Sequence, residues 1–215
     1  MNAIEFSAQE ISKHFNRHQI FENINFTLSF FSTSTTSNSL AIIGNNGAGK
    51  STLIKILAGI LSPTKGNVAF SINAENIPIK FFHQHIGFVA PYLQLYDEFS
   101  GLENLLLFGK IRQLEKSFPL RAEKLLEQFN LSNAKNSLVR IYSSGMKQRL
   151  KYCAALLHQP EILLLDEPTI TLDEEGREIV YEVMNEQRKK GLLVVATNEK
   201  EDIVGIEKII ELGKG

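Results

Sequence analysis

A single cysteine, Cys153, stands among the 215 residues, so no internal disulfide framework is available and the chain suits a reducing compartment. It falls in an apolar helical stretch, which reads as a buried, inert thiol rather than a nucleophile. Long hydrophobic runs are lacking as well. None approaches the roughly 20 residues that cross a bilayer, and the first residues lack the pattern of a signal peptide. Any membrane would have to be spanned by a partner. A surplus of charge of either sign is also missing, since 23 Lys and Arg stand against 24 Asp and Glu for a net charge of −1. No bulk pull toward nucleic acid or anionic lipid follows, and no nucleic-acid partner is expected. What remains, 43 % hydrophobic and 22 % charged, is the composition of a soluble globular α/β protein of ordinary size.

The first 31 residues alternate loosely between apolar and polar, most cleanly over Ile24-Asn25-Phe26-Thr27-Leu28-Ser29-Phe30, which predicts a strand with one buried face. Ser32 to Ser39 holds only Ser, Thr and Asn and reads as a solvated hairpin loop. Short strands are expected at Leu40–Ile43, Val68–Ile72 and Gly87–Ala90, the last halted by Pro91. From Leu102 to about Ala134 the apolar spacing turns helical, with Pro119 separating two helices. Roughly 93–160 therefore reads as a helical block set into the α/β core. Met146, Leu150, Cys153, Ala154 and Leu157 share one face of a further helix ended by Pro160. Ile162-Leu163-Leu164-Leu165 and Leu192-Leu193-Val194-Val195-Ala196 are uninterrupted apolar runs, as in strands covered on both faces of a parallel sheet. Between them Glu174–Lys190 reads as a helix, and Lys208–Leu212 closes the sheet.

The chemistry concentrates in Gly44-Asn45-Asn46-Gly47-Ala48-Gly49-Lys50-Ser51-Thr52. This stretch fits G-x-x-x-x-G-K-[ST] at every fixed position and sits between an expected strand and an expected helix. Glycines let backbone N–H groups converge on phosphate oxygens, and the helix N-terminus adds positive potential. Lys50 supplies a mobile charge for the outer phosphates, and the Ser51 hydroxyl can ligate Mg²⁺. Ligands of open α/β sheets lie beyond the carboxyl ends of the strands. Asp166-Glu167 after Leu165 and Thr197-Asn198 after Ala196 should therefore meet this loop. Asp166 suits Mg²⁺ through a water shell, and Glu167 suits polarisation of an attacking water.

Together with Tyr142-Ser143-Ser144-Gly145-Met146-Lys147-Gln148-Arg149 and Asp166-Glu167-Pro168-Thr169, the phosphate loop resembles the nucleotide-binding domain of an ABC transporter, over essentially the whole of residues 1–215. The resemblance implies a phosphate-loop NTPase core with a mostly parallel sheet, an N-terminal antiparallel β subdomain and an inserted helical subdomain, forming one domain. It implies ATP and Mg²⁺ as ligands, a head-to-tail homodimer, and an integral membrane permease as partner at the cytoplasmic face. In that dimer Ser143 and Gly145 of one copy would complete the site of the other. Phe15 would stack on adenine, with Phe21 as the substitute, and Thr52 would touch the α-phosphate. Asp173 would link the two sites or cap the helix that follows it. Two positions depart from the pattern. Pro91 stands where a metal-contacting Gln is usual, leaving Gln94 to take over or the contact missing. Asn198 stands where a switch His is usual, and an amide carries no ionisable proton. The signature has an exporter-like form. Beside an ATPase subunit powering transport stand two alternatives: a soluble ABC ATPase acting as an assembly or remodelling factor, and a weakly hydrolysing ATP switch. Tyr92, Leu93, Leu95, Tyr96 and Phe99 form an apolar stretch read as a docking patch.

Overall fold

The computed structural model describes residues 3–16, 18–31 and 38–213. Its elements are β1 (Ala3–Phe15), β2 (His18–Phe31), β3 (Ser39–Ile43), α1 (Lys50–Leu57), β4 (Lys65–Ile72), β5 (Glu75–Asn76), α2 (Phe82–His85), β6 (Ile86–Val89), α3 (Gly101–Ile111), α4 (Phe118–Gln128), α5 (Ser144–Leu156), β7 (Ile162–Asp166), α6 (Glu174–Lys190), β8 (Leu192–Ala196) and β9 (Lys208–Glu211). They build an antiparallel sheet in the order β2-β1-β4-β5 and a five-stranded sheet in the order β6-β7-β8-β3-β9. Every pairing in the second sheet is parallel. The mixed α/β architecture expected from the sequence is thus present.

The apolar runs of β7 and β8 are explained by two cores, one on each face of the parallel sheet. Leu163, Leu165, Leu193 and Val195 pack with the helices, among them Phe129, Leu150, Tyr152 and Cys153. Ile162, Leu164, Leu192, Val194 and Ala196 pack the other way, with α1 and the antiparallel sheet through Leu53, Ile54, Phe6 and Phe70. Cys153 is fully buried, and burial pushes its thiol far above the ordinary range, so it is the inert group expected.

The sequence expectations differ from the structure in several places. The loose alternation of the first residues is one long hairpin, whose second arm contains the strand expected at Ile24–Phe30. Its pattern is blurred because the β1–β2 register shifts between Ala8 and Ile11 and again near Lys13. Residues 32–37 of the Ser/Thr/Asn tract lie outside the described residues. Ser39, assigned to that loop, instead opens β3 fully buried, its hydroxyl accepting from the Glu207 N–H at 3.2 Å. Pro119 does not lie between the two helices but sits in the first turn of α4, where its missing N–H costs nothing. Among the described residues no helix is long and apolar enough to cross a membrane.

Segment 91–100, which leads from β6 into α3, is pinned by Asn104, fully buried in α3. Its amide nitrogen donates to the carbonyls of Tyr96 (3.0 Å) and Ser100 (2.9 Å), and its oxygen accepts from the Tyr96 N–H (2.8 Å). Ser100 and Glu103 add a reciprocal capping box at the start of the same helix. Asn104→Ala leaves these backbone groups without partners, and a loss of about 2–3 kcal/mol is expected, measurable as a lower urea midpoint with an unchanged m-value.

Candidate functional site

The carboxyl edge of the parallel sheet gathers three chain segments. β3 ends at Ile43 and runs into the phosphate loop, β7 ends in Asp166 and Glu167, and β8 ends before Thr197 and Asn198. Backbone hydrogen bonds tie the segments beyond the strands themselves: Glu167 N–H to the Ala196 carbonyl (2.8 Å), Thr197 N–H to Ile42 (3.1 Å) and Leu212 N–H to Ile43 (2.8 Å).

Two glycines show why the loop has its composition. Gly49, with φ of 99°, lies against β2, where a Cβ would come within 2.5 Å of the Ile20 side chain and 3.0 Å of the Phe21 ring. Gly47, with φ of 85°, has open space instead, so its backbone is free to approach a ligand. Asn45, Asn46 and Gly47 are exposed, whereas Gly44, Ala48, Gly49, Ser51 and Thr52 are half-buried. Phe21 is thereby used as a brace under the loop. Phe15 is 47 % exposed near the tip of the same hairpin, with the Lys13 ammonium 4.8 Å from its ring centroid, so it is free to receive a stacking partner.

Lys50 is the hub. It is 6 % exposed, and its ammonium donates to the Gly44 carbonyl (2.7 Å), to the Asn45 carbonyl (3.4 Å) and to Asn198 Oδ1 (2.8 Å). Glu167 Oε1 lies 3.6 Å away. The Asn198 amide nitrogen donates to Asn46 Oδ1 at 2.6 Å, so the loop, Lys50 and Asn198 form a closed ring of contacts. Glu167 has a φ of 49°, a left-handed conformation uncommon for such a residue and found where a site imposes it. Burial raises its carboxyl above the ordinary range; Lys50 opposes this and Asp166 adds to it.

Asp166 is 1 % exposed, and neither carboxylate oxygen completes a hydrogen bond in the structure. The hydroxyls of Ser51 and Tyr92 face it, and Lys55 and Lys50 are near enough to act on it, yet burial dominates and raises its pKa. A buried carboxylate with vacant lone pairs beside a serine hydroxyl fits a hydrated divalent cation. Among the described residues no group of three or more His, Cys, Asp or Glu side chains could hold a metal unaided. The ion would therefore have to share phosphate oxygens of a nucleotide.

Gln94 is not brought to this edge. Its amide donates to the Tyr92 carbonyl at 3.4 Å, and its side chain lines a cavity of about 190 Å³ with Phe88, Leu95, Phe108 and Lys151. The register of β6 against β7 puts Val89 opposite Leu165, so the chain leaving β6 passes directly by Asp166. Tyr92 is the side chain that reaches it, with the Lys55 ammonium 4.0 Å from its ring centroid. Sequence reasoning missed this role because Tyr92 stood within an apolar patch and nothing local marks its hydroxyl.

Ser143 and Gly145 lie at the other end of the helical block. Ser143 caps α5 by accepting from the Met146 N–H (3.2 Å), and Gly145 abuts the Thr171 carbonyl. Ser143 is exposed and is not among the groups that hold Lys50. Asp173 caps α6 by accepting from the Gly176 N–H at 3.0 Å.

Residues 7–170 match the family profile described as ABC transporter. The chain belongs to this family. It is 32 % identical over 195 residues to the linearmycin resistance ATP-binding protein of Bacillus subtilis, covering 89 % of this chain and 60 % of that protein. It is 36 % identical over 159 residues to a daunorubicin resistance ATP-binding protein of Streptomyces coeruleorubidus (74 % and 50 %). With the lipoprotein-releasing system ATP-binding protein of Syntrophus aciditrophicus it shares 37 % over 174 residues, 78 % of each chain. The chain thus spans only about half to three fifths of the first two relatives. A solved structure described as the ATP binding subunit of an ABC transporter superposes with a TM-score of 0.81 at 27 % identity, covering 96 % of this chain and 85 % of that one. The edge described above accordingly belongs to an ABC ATP-binding domain.

The raised carboxyl of Asp166 has a sign that can be measured in the nucleotide-free ABC domain. The folded chain holds this proton more tightly than the unfolded chain, so the penalty is absent below the unfolded value near 4 and grows as pH rises through the raised one. Asp166→Asn removes a buried, unpaired charge. It should stabilise the nucleotide-free protein at pH 7 by about 1 kcal/mol, a gain that vanishes near pH 4. Urea unfolding at the two pH values checks it.

Proposed function

We propose that this chain is the ATP-hydrolysing subunit of an ABC transporter, acting as a head-to-tail pair that closes on Mg²⁺ and ATP. The observation that carries the reading is the convergence of Lys50, Glu167 and Asn198, held within hydrogen-bond or ion-pair reach of one another around an open phosphate loop. Lys50 rests on loop carbonyls and Asn198, contacts that a γ-phosphate would replace. Glu167, whose carboxyl burial raises above its ordinary value, would polarise the attacking water. Ser51 and Asp166 would hold the cation, which neutralises charge on the phosphates, and the Tyr92 hydroxyl would hydrogen-bond within its water shell in place of a glutamine. Thr52 would meet the α-phosphate, Phe15 the adenine, and Ser143 with Gly145 of the second copy would present the start of α5 to the γ-phosphate.

The permease would dock where the 91–99 segment crosses the helical block. Tyr92, Tyr96 and Phe99 are 39 %, 50 % and 40 % exposed there, beside the cavity lined by Phe88, Leu93, Leu95 and Phe108. That contact would keep the chain on the inner face of the membrane. Resistance and lipoprotein release belong to the relatives that carry those names; the cargo here would be set by the permease.

A second reading rests on Asn198. An ATP-binding switch that barely turns over would also retain Lys50 and the loop, because an amide can bind a γ-phosphate without any proton chemistry. Steady-state ATPase of the assembled complex separates the two. Glu167→Gln should lower kcat by roughly 100-fold or more while ATP still binds; equal, near-zero rates in wild type and variant favour the switch. Tyr92→Phe keeps the ring over which Lys55 sits. It should weaken Mg²⁺-dependent ATP binding by roughly 3–10-fold and leave binding in EDTA unchanged, as read by a fluorescent nucleotide.

A further inference from the structure

We infer that Asp202 is a positioning residue that locks the catalytic ends of β7 and β8 to one another, so that Glu167 and Asn198 are set by a single shared anchor. Asp202 lies in the 3₁₀ turn Glu201–Ile203, beyond the nucleotide edge, and is 1 % exposed. Its Oδ1 accepts from the Thr169 hydroxyl (3.0 Å) and from the Tyr181 hydroxyl (3.2 Å), while Oδ2 accepts from the Thr197 hydroxyl (2.7 Å). Among the described residues no lysine, arginine or histidine pairs with it. Hydroxyl donors carry all of this recognition, and they come from three elements: the segment after β7, the segment after β8, and α6.

The placement of those donors is what gives Asp202 a role beyond packing. Thr197 immediately precedes Asn198, and its hydroxyl also accepts from the Glu199 N–H at 3.0 Å, which fixes the turn on the far side of Asn198. Thr169 follows Glu167 by two residues, and between them the Pro168 carbonyl accepts from the buried Tyr152 hydroxyl at 2.9 Å. The Glu167 N–H is itself bonded to the Ala196 carbonyl. Glu167 is thus clamped on both sides, and the clamp that reaches Asn198 runs through one carboxylate. Phosphoryl transfer depends on placing such groups to within a fraction of an ångström. A carboxylate bridging Thr169 and Thr197 keeps the base and the γ-phosphate contact in a fixed relation while Lys50 exchanges partners. Tyr181 completes the coordination from α6 and transmits no contact to the nucleotide.

This inference rests on the hydrolytic reading above. Its test compares Asp202→Asn, Thr197→Val, Thr197→Ser and Tyr181→Phe in the assembled complex, with thermal midpoints and nucleotide affinity measured on the same preparations. Asp202→Asn and Thr197→Val should lower kcat roughly 10–100-fold with ATP affinity within about threefold of wild type, and Thr197→Ser, which keeps the hydroxyl, should restore turnover. Turnover within about twofold of wild type in a folded Asp202→Asn protein overturns the inference. So does equal damage from Thr197→Ser and Thr197→Val, or a parallel fall of turnover, affinity and melting temperature, which marks plain structural support. Should Asp202→Asn fail to fold, the Thr197 pair and Tyr181→Phe decide alone. A wild-type complex without turnover removes the hydrolytic reading instead. Amide hydrogen exchange then judges Asp202: protection at 166–171 and 196–199 should fall together in Thr197→Val, and loss at one segment only rejects the shared anchor.

Discussion

A carboxylate buried at the end of a covered strand is the constraint around which this domain is arranged. Asp166 terminates a strand covered on both faces, so its position is dictated by Leu163, Leu164 and Leu165, whose side chains fill two different cores. It is 1 % exposed, and neither oxygen completes a hydrogen bond. Holding an anion here gives up stability, and burial accordingly raises the Asp166 carboxyl above the ordinary value. The donor set here, a carboxylate beside a serine hydroxyl, suits a divalent cation. Ser51 and Tyr92 face the same spot from α1 and from the segment after β6, and Lys55 approaches behind the Tyr92 ring.

Lys50 stands in the opposite condition. Its ammonium is saturated by loop carbonyls and by Asn198, with Glu167 next in line. A buried carboxylate at the end of β7 and a buried ammonium at the start of α1 together suit a metal–phosphate unit better than either ion alone. A phosphate at the loop would take over the contacts of Lys50, and a cation beside it would supply the counter-charge of Asp166. The loop can make this exchange because it is braced elsewhere. Ile20 and Phe21 of the antiparallel sheet press on Gly49, which is why the β1–β2 hairpin belongs to the site despite holding none of the phosphate ligands.

How much of this was legible depended on the range of the interaction. The runs Ile162–Leu165 and Leu192–Ala196 and the helix Glu174–Lys190 could be read directly, because burial on two faces and helical periodicity are local patterns. The phosphate loop was legible for the same reason. The β1–β2 hairpin was not, since its bulges and the positive φ of Glu10 and Asn23 shift the inside–outside alternation. Proximity in sequence leaves Gln94 to take over the metal contact or that contact missing; in the fold Tyr92 is the side chain beside Asp166, while Gln94 lines a cavity with Phe88, Phe108, Arg112 and Lys151. Asp202 lay within Asn198–Ile203, a polar tract with no motif. Its three hydroxyl partners lie 5, 21 and 33 residues away in sequence, and only the folded chain unites them.

Asn198 ties these strands of argument together. In place of an ionisable side chain the chain carries an amide whose oxygen holds Lys50 and whose nitrogen holds Asn46. An amide has a fixed donor end and a fixed acceptor end, so its usefulness depends on orientation alone, whereas an imidazole can exchange protons between its two nitrogens. A site with an amide at this position has to be more rigid there. The structure supplies that rigidity from both neighbours: Thr197 is anchored on the Asp202 carboxylate, and Glu199 is turned back onto the Thr197 hydroxyl. Glu167 is a carboxylate at the site with both a raised pKa and partial access to solvent, which suits it to the base role proposed for it.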